Sequence, residues 1–219
     1  MNGIDTVAQL PLASLSLLGP LALFALVSSI TPGPNNVMLA SSGLTFGFRR
    51  SVPHMMGVNI GFSLMIVLVG LGLGAAFHQA PVLYEVLKYA GAAYLLYLAW
   101  KIATSGPLES GEARGKPFTF MQAALFQWVN PKAWVMAVGV IATYTPQAGF
   151  FGNLIIAATV CCIVNLPAIG IWVLFGSGLR RWLHRPGAIR AFNVGMAVLL
   201  VASLYPVAFE LAGRVSGQP

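Results

Sequence analysis

An apolar run near the start of the chain contains the polar hexapeptide "TPGPNN". Its members are Thr31, Pro32, Gly33, Pro34, Asn35 and Asn36. Each proline removes a backbone donor and clashes with the preceding turn, so the pair predicts a break in a helix. Gly33 adds backbone freedom, and the two asparagine amides can donate and accept hydrogen bonds at the break. These residues suit the binding of a polar ligand, and a simple packing kink is the alternative.

A second polar interruption, "NPK", comprises Asn130, Pro131 and Lys132 in another apolar run. A lysine at the centre of a membrane span costs roughly 2.5–3.5 kcal/mol. Lys132 therefore either snorkels toward the surface or faces a polar cavity, where it can pair with an anionic group. Half-helices beginning near Asn36 and near Pro131 would expose unpaired N–H groups that suit a carboxylate.

Two more amides lie inside apolar runs, Asn59 in "VNIG" and Asn165 in "VNLP". They can contact polar atoms of a substrate or hydrogen-bond to another helix, and the sequence leaves both interpretations open. Gly57 and Gly61 form a small-xxx-small pair, which predicts close packing of two helices.

No motif for a cofactor, a metal or an enzymatic reaction accompanies these residues. The sequence has no G-x-x-x-x-G-K-[ST] loop for nucleotide phosphates. The adjacent Cys161 and Cys162 lack nearby metal ligands, so packing is their expected role. An intramembrane serine hydrolase would need Ser and His together at depth, and the positions of Ser63, His54 and His78 suggest no such pair. We predict no cofactor, no metal and no enzymatic activity.

The composition sets the elements that must position these residues. Of 219 residues, 58% are hydrophobic and 8% are charged, whereas soluble domains carry about 25% charged residues. The sequence therefore predicts an all-α integral membrane protein, because a lone span in lipid must satisfy its own backbone hydrogen bonds. Six apolar segments are expected to span the membrane: Pro20–Phe46, Met55–Phe77, Val82–Ile102, Phe118–Tyr144, Phe151–Phe175 and Ala191–Phe209.

The basic residues give an orientation. Nine of the twelve lie in three connections, as Arg49, Arg50, Lys101, Arg114, Lys116, Arg180, Arg181, Arg185 and Arg190. Because cytoplasmic loops attract Lys and Arg, these connections should face the cytoplasm and both termini should lie outside. The net charge of +7 thus indicates contact with membrane lipids, and no nucleic-acid partner is predicted.

Six spans divide into two inverted three-helix repeats, residues 1–104 and 118–219, joined by a cytoplasmic linker at 105–117. Spans one and four are each broken by a polar motif, and Pro20–Ile30 would rise about 16 Å before its break. That is near half of a ~30 Å hydrocarbon core, so both breaks are expected near the midplane. Matching broken spans indicate a transporter's binding site.

Four stretches resemble the LysE/RhtB family of amino-acid exporters: "TPGPNN", "GFRRSVPHMMGVNIGF", "LKYAGAAYLLYLAWKIATS" and "FQWVNPKAW". Within that family the chain is most similar to the subgroup that exports cysteine and O-acetylserine. The resemblance implies an inner-membrane carrier driven by the proton gradient. It also implies a substrate site at Pro32, Gly33, Pro34 and Asn35, with Asn130, Pro131 and Lys132 opposite. Some relatives have Asp where this chain has Asn35, so the residue that carries the proton is not indicated.

These observations predict a secondary-active exporter of small neutral amino acids, of the cysteine/O-acetylserine or threonine/homoserine type, working by alternating access. A basic amino-acid exporter of the same family and a non-transporting membrane scaffold are the alternatives. The expected partners are the substrate and membrane lipids, and a homodimer is left open. The predicted substrate-binding residues are Pro32, Gly33, Pro34, Asn35, Asn36, Asn59, Asn130, Pro131, Lys132 and Asn165.

Overall fold

The computed structural model describes residues 12–73, 81–104, 117–182, 186–205, 208–209 and 211. Its secondary structure over these residues is entirely helical. In chain order the α-helices are α1 (Leu12–Ile30), α2 (Pro34–Phe46), α3 (Phe48–Leu68), α4 (Pro81–Ala103), α5 (Phe120–Phe126), α6 (Pro131–Tyr144), α7 (Phe150–Trp182) and α8 (Pro186–Ala202). A π-helical turn, Val69–Leu73, follows α3, and a 3-10 turn, Gln127–Val129, follows α5. The predicted linker, apart from residue 117, and most of both terminal segments lie outside the described residues.

The first apolar segment consists of two helices. Helix α1 ends at Ile30, the chain is extended through Gly33, and α2 begins at Pro34. The axes of the two helices differ by 57°. Proline is well tolerated at the first helical position, because its missing N–H would have no partner inside the helix. Helix α2 therefore begins earlier than the expected start at Asn36 or Val37, and both asparagines lie in its first turn.

The fourth segment also consists of two helices. A capping box starts α5: the Thr119 hydroxyl accepts from the Gln122 backbone N–H, and the Gln122 side chain accepts from the Thr119 N–H. The 3-10 turn then leads to Asn130, whose side chain caps α6 by accepting from the backbone N–H of Lys132. Pro131 occupies the first position of α6, as expected from the sequence.

Several helices extend beyond the apolar segments that predicted them: α1 begins at Leu12 and not at Pro20, and α8 begins at Pro186 and not at Ala191. Helix α3 begins at Phe48, directly after Gly47, whose positive φ of 79° turns the chain. Its first turn therefore contains the exposed Arg49 and Arg50. Helix α7 has 33 residues and continues past Phe175 to Trp182. The apolar segments thus mark the core of each helix and omit its charged end.

Glycines allow α2, α3, α5 and α7 to pack closely. A Cβ on Gly176 of α7 would lie 1.9 Å from the Ala40 carbonyl oxygen of α2. A Cβ on Gly57 or Gly61 of α3 would lie 2.3 Å or 2.5 Å from backbone atoms of α5. The predicted close packing at this glycine pair is confirmed. Helix α2 packs against α3, α7 and α8, and every residue from Asn36 to Leu44 is buried.

Two of the described helices are long and apolar enough to cross a membrane, at Phe48–Gly72 and Phe150–Leu179. The count is three if the bent pair Ser16–Ile30 and Pro34–Phe46 forms one span. The fold is thus all-α, with apolar helices that suit a membrane. The six spans, their inverted repeat and the midplane depth of the two breaks stay predictions.

Candidate functional site

A polar cavity lies where the two helix breaks approach each other. It is lined by Ser28, Ser29, Gly33, Asn35, Asn36, Val58, Phe62, Gln127, Asn130, Lys132, Ala133, Met136, Asn165 and Ile169. Six of the ten predicted site residues are in this lining, and Pro32, Pro34, Asn59 and Pro131 are not. The cavity volume is about 30 Å³, which is room for about two water molecules.

Lys132 joins the two breaks. Its Nζ donates to the Thr31 carbonyl oxygen at 2.7 Å, to Thr31 Oγ1 at 3.0 Å and to the Pro32 carbonyl oxygen at 3.5 Å. The ammonium lies in the first turn of α6, where the dipole of its own helix is unfavourable for a cation. It reaches instead to the C-terminal end of α1, where the dipole is negative. The cation thus pairs with backbone carbonyls in the non-helical stretch between Ile30 and Pro34.

Gly33 provides the space that the lysine side chain needs. Its φ of −177° and ψ of 177° are extended values that any residue can adopt. A Cβ at this position, however, would lie 2.8 Å from Lys132 Cδ and 3.2 Å from Lys132 Nζ. Gly33 therefore contributes to the site through its small size, which lets the lysine side chain cross the break.

Two other side chains complete the cap on α1. The Nδ2 group of the buried Asn36 donates to the carbonyl oxygens of Ser29 and Thr31, each at 2.7 Å. The indole Nε1 of Trp172 in α7 donates to the Ile30 carbonyl oxygen at 3.2 Å. Because both Nδ2 protons of Asn36 are used, this amide holds the break together and has no further proton for a ligand.

The part of the chain that matches a known protein family includes every residue that lines this cavity. The family model described as "LysE type translocator" matches residues 26–211. The chain belongs to the LysE family. It is also 32% identical over 182 residues to the cysteine/O-acetylserine efflux proteins of Escherichia coli (strain K12) and Shigella sonnei (strain Ss046), covering 81% of this chain and 90% of each relative. No solved structure matches.

Family membership confirms the resemblance carried by the "TPGPNN" and "FQWVNPKAW" stretches. It makes the protein a membrane translocator rather than an enzyme. In this LysE-family chain, the described cavity lining contains one charged side chain, that of Lys132, together with amides, hydroxyls and five apolar side chains. Such a surface suits a ligand that carries a carboxylate and small polar groups. Across the described residues, no cluster of three or more His, Cys, Asp or Glu side chains is placed to hold a metal ion.

Gln127 is a lining residue that is absent from the predicted set. Its side chain is fully buried and exchanges two hydrogen bonds with Asn35: Asn35 Nδ2 donates to Gln127 Oε1 at 2.8 Å, and Gln127 Nε2 donates to Asn35 Oδ1 at 3.2 Å. Gln127 Nε2 also donates to the Ala123 carbonyl oxygen. The sequence signal was an amide in an apolar run, three residues before Asn130.

Asn59 and Asn165 contact each other across α3 and α7. Asn165 Nδ2 donates to Asn59 Oδ1 at 2.8 Å, and Asn59 Nδ2 donates to Cys162 Sγ at 3.2 Å. Of the two interpretations left open by the sequence, helix-to-helix hydrogen bonding is the one observed for this pair. Asn165 also lines the cavity, whereas Asn59 lies behind it.

Ser29 is another lining residue that the sequence did not indicate. It is 5% exposed, and its hydroxyl has no hydrogen-bond partner among the described residues. A buried hydroxyl without a partner carries an energetic cost, which a bound ligand or water can relieve. It lies in the last turn of α1, beside the carbonyls that Lys132 and Asn36 cap.

Proposed function

We propose that this LysE-family protein is a secondary-active exporter of small neutral amino acids, of the cysteine/O-acetylserine or threonine/homoserine type. The observation that carries this proposal is the meeting of two helix breaks at one polar cavity that contains the Lys132 ammonium. The efflux activity named for the relatives supports the substrate class. A carrier needs a polar site enclosed by apolar helices, and broken helices supply one without lipid-exposed backbone.

The substrate's carboxylate is proposed to interact with Lys132, near the N-termini of α2 and α6. Asn35 contributes through the Nδ2 proton that Gln127 does not use, and Asn165 borders the same space. Asn36 and Asn130 support the site by capping the helices that form it. The three prolines at positions 32, 34 and 131 act through the backbone breaks, and Asn59 acts by holding Asn165.

The charge of the lining favours a neutral substrate over a basic one. The described lining residues include Lys132 and no carboxylate. A lysine or arginine substrate would bring a second cation into a space of low dielectric constant, where like charges repel strongly. A zwitterion brings no net charge. The basic amino-acid exporter is therefore the less favoured candidate.

The transport cycle is proposed to be alternating access between two inverted repeats, with proton coupling. The hydrogen bond between Asn59 and Asn165 joins equivalent motifs of the two proposed halves, "VNIG" and "VNLP". The small cavity must enlarge to admit an amino acid. The protein is proposed to lie in the bacterial inner membrane with both termini outside, in contact with lipids. A homodimer is an additional proposal that rests on no contact described above.

Counterflow in proteoliposomes tests the function. Vesicles containing the purified protein are loaded with one unlabelled amino acid and diluted into a trace of labelled cysteine, O-acetylserine, threonine, homoserine, lysine or arginine. We expect exchange of at least one neutral amino acid and none of lysine or arginine. Exchange of the basic amino acids alone would overturn the substrate assignment, and no exchange of any amino acid would contradict the exporter proposal.

Proton coupling has its own measurement. With a neutral substrate that exchanges, net movement against a concentration gradient is followed under an imposed pH gradient. We expect accumulation that collapses when a protonophore is added. Accumulation that is insensitive to the protonophore would contradict proton coupling while leaving the exporter assignment intact.

A further inference from the structure

We propose that the C-terminal end of α1 is a cation-binding subsite, which the Lys132 ammonium fills in this structure and the substrate's α-ammonium group fills during transport. The second half of this statement rests on the proposed export of amino acids. The first half concerns the protein alone and can be tested without transport.

The geometry of the subsite matches a primary ammonium group. Three acceptors, the Thr31 carbonyl oxygen, Thr31 Oγ1 and the Pro32 carbonyl oxygen, surround Lys132 Nζ at 2.7, 3.0 and 3.5 Å. A primary ammonium has three N–H donors, one for each acceptor. The negative end of the α1 dipole adds attraction for a cation. Half-helix ends of this kind hold coupling cations in other transporter folds, and here a tethered side chain occupies the position.

Lys132 is attached to α6, whereas its acceptors belong to the break after α1. Its ammonium can therefore leave the acceptors when the two breaks separate, without any change in α1 itself. If it left without a replacement, the Thr31 carbonyl oxygen would keep Asn36 Nδ2 as a donor, but both it and the Pro32 carbonyl oxygen would lose the cation at the negative end of α1, which is unfavourable. A ligand that supplies its own ammonium removes this cost.

A zwitterionic amino acid fits between the two separated groups. Its carboxylate pairs with the Lys132 ammonium, and its α-ammonium takes the acceptors of Thr31 and Pro32. The Lys132 ammonium then has backbone carbonyls as partners before binding and the carboxylate as an opposite charge after it. The partnerless Ser29 hydroxyl lies in the same wall and supplies a further polar group for the ligand.

This arrangement selects for molecules that carry an ammonium group and a carboxylate on the same carbon atom. An amine without a carboxylate cannot draw Lys132 away from its acceptors. An α-hydroxy acid can pair with Lys132 but leaves the carbonyl end of α1 without a cation. The subsite therefore explains selection for α-amino acids, while the side chain of the substrate is recognised elsewhere in the cavity.

The first experiment follows the thermal stability of purified Lys132→Ala protein in detergent. Removing the tethered ammonium vacates the subsite, so methylammonium should bind there and raise Tm by a few degrees. Tetramethylammonium at equal concentration has the same charge and ionic strength but no N–H donor, and it should have no such effect. The wild type and Lys132→Met, in which a side chain still fills the space, should not respond to methylammonium.

An equal Tm rise with both cations, or no rise with methylammonium in folded Lys132→Ala, would overturn the subsite. The second experiment uses wild-type protein and therefore does not depend on the folding of that variant. Inhibition of counterflow is compared for the exported amino acid, for its α-hydroxy-acid analogue and for the amine formed by removing its carboxylate. Both analogues should bind at least about tenfold more weakly, since a site built to bind a donor discriminates against ligands without it.

Equal inhibition by the amino acid and its α-hydroxy-acid analogue would overturn the ammonium subsite and leave the exporter proposal standing. Absence of counterflow for every amino acid would contradict the exporter proposal instead. In that case the methylammonium response of Lys132→Ala still decides whether the cation subsite exists.

Discussion

Both helix breaks of this protein leave backbone groups without helical partners, and the two breaks obtain other hydrogen-bond partners in different ways. After α1, the free carbonyls receive donors from side chains that lie elsewhere in the fold: Lys132 is 101 residues from Thr31, and Trp172 is 142 residues from Ile30. Before α6, the partners are local. The Asn130 side chain caps the helix that follows it, and its backbone N–H bonds to the Gln127 carbonyl oxygen.

The two breaks are therefore complementary. The break after α1 presents acceptors at the negative end of a helix, whereas the break before α6 is self-sufficient and contributes a cation. Contact between them satisfies both. If the halves are inverted repeats, as proposed, their equivalent breaks have acquired opposite roles, one as an acceptor and one as a donor.

The largest expected effect comes from removing Lys132, whose ammonium bridges the two breaks. In Lys132→Ala, export of the neutral substrate should fall to the level of vesicles without protein, because the carboxylate loses its cation. The measurement is initial efflux rate in proteoliposomes at matched protein content. Lys101→Ala removes an exposed lysine from α4 and is the matched control, with unchanged export expected. Normal export by Lys132→Ala would remove this residue from the site.

The next largest expected effect is a loss of stability at the break after α1, which presents the acceptors. Asn36→Leu leaves the carbonyls of Ser29 and Thr31 each without one donor. The Ser29 carbonyl oxygen loses its side-chain donor, at about 1–3 kcal/mol, and the Thr31 carbonyl oxygen, which keeps Lys132, loses one hydrogen bond worth about 1 kcal/mol, so the free energy of unfolding should fall by about 2–4 kcal/mol. Reversible denaturation in detergent measures it.

Asn36→Asp provides the matched control, because it preserves the shape of the side chain but has no N–H to donate. It should lose at least as much stability as Asn36→Leu. A stable Asp variant would show that the volume of Asn36, and not its two hydrogen bonds, holds the first break together.

Local features of both breaks could be predicted from the sequence. Prolines and glycine in "TPGPNN" predicted an interruption, and "NPK" predicted a helix that begins at Pro131. These predictions succeeded because capping and proline sterics act within one helical turn. The close approach of helices at Gly57 and Gly61 was also predictable, since small residues four apart lie on one helix face.

The partners across the fold could not be predicted in this way. Trp172 gives no local signal and Gln127 only that of an amide in an apolar run, because the roles of both depend on which helices pack together. The same limit applies to Asn59 and Asn165, whose mutual hydrogen bond requires the register of α3 against α7. The sequence identified polar groups that need partners, and tertiary packing selected the partners.

A smaller loss of stability is expected at the break before α6, where the hydrogen-bond partners are local. Asn130→Ala removes the side-chain cap from α6, which should lower the free energy of unfolding by about 1 kcal/mol. Asn130→Ser and Asn130→Asp should restore most of it, because serine and aspartate are also good N-caps. A loss as large as that of Asn36→Leu, without recovery in the Ser variant, would show that the second break also depends on distant partners.

The smallest expected effect concerns the neutral hydrogen bonds that join the two breaks directly. Asn35 and Gln127 exchange two neutral hydrogen bonds across 92 positions of sequence. A double-mutant cycle with Asn35→Ala, Gln127→Ala and the double variant should give a coupling free energy of about 1 kcal/mol. Gln127→Ala alone should also release the Ala123 carbonyl oxygen, so the cycle is needed to separate the two contributions. A coupling near zero would mean that only the Lys132 ammonium joins the two breaks, and the comparison would then reduce to a single charged contact.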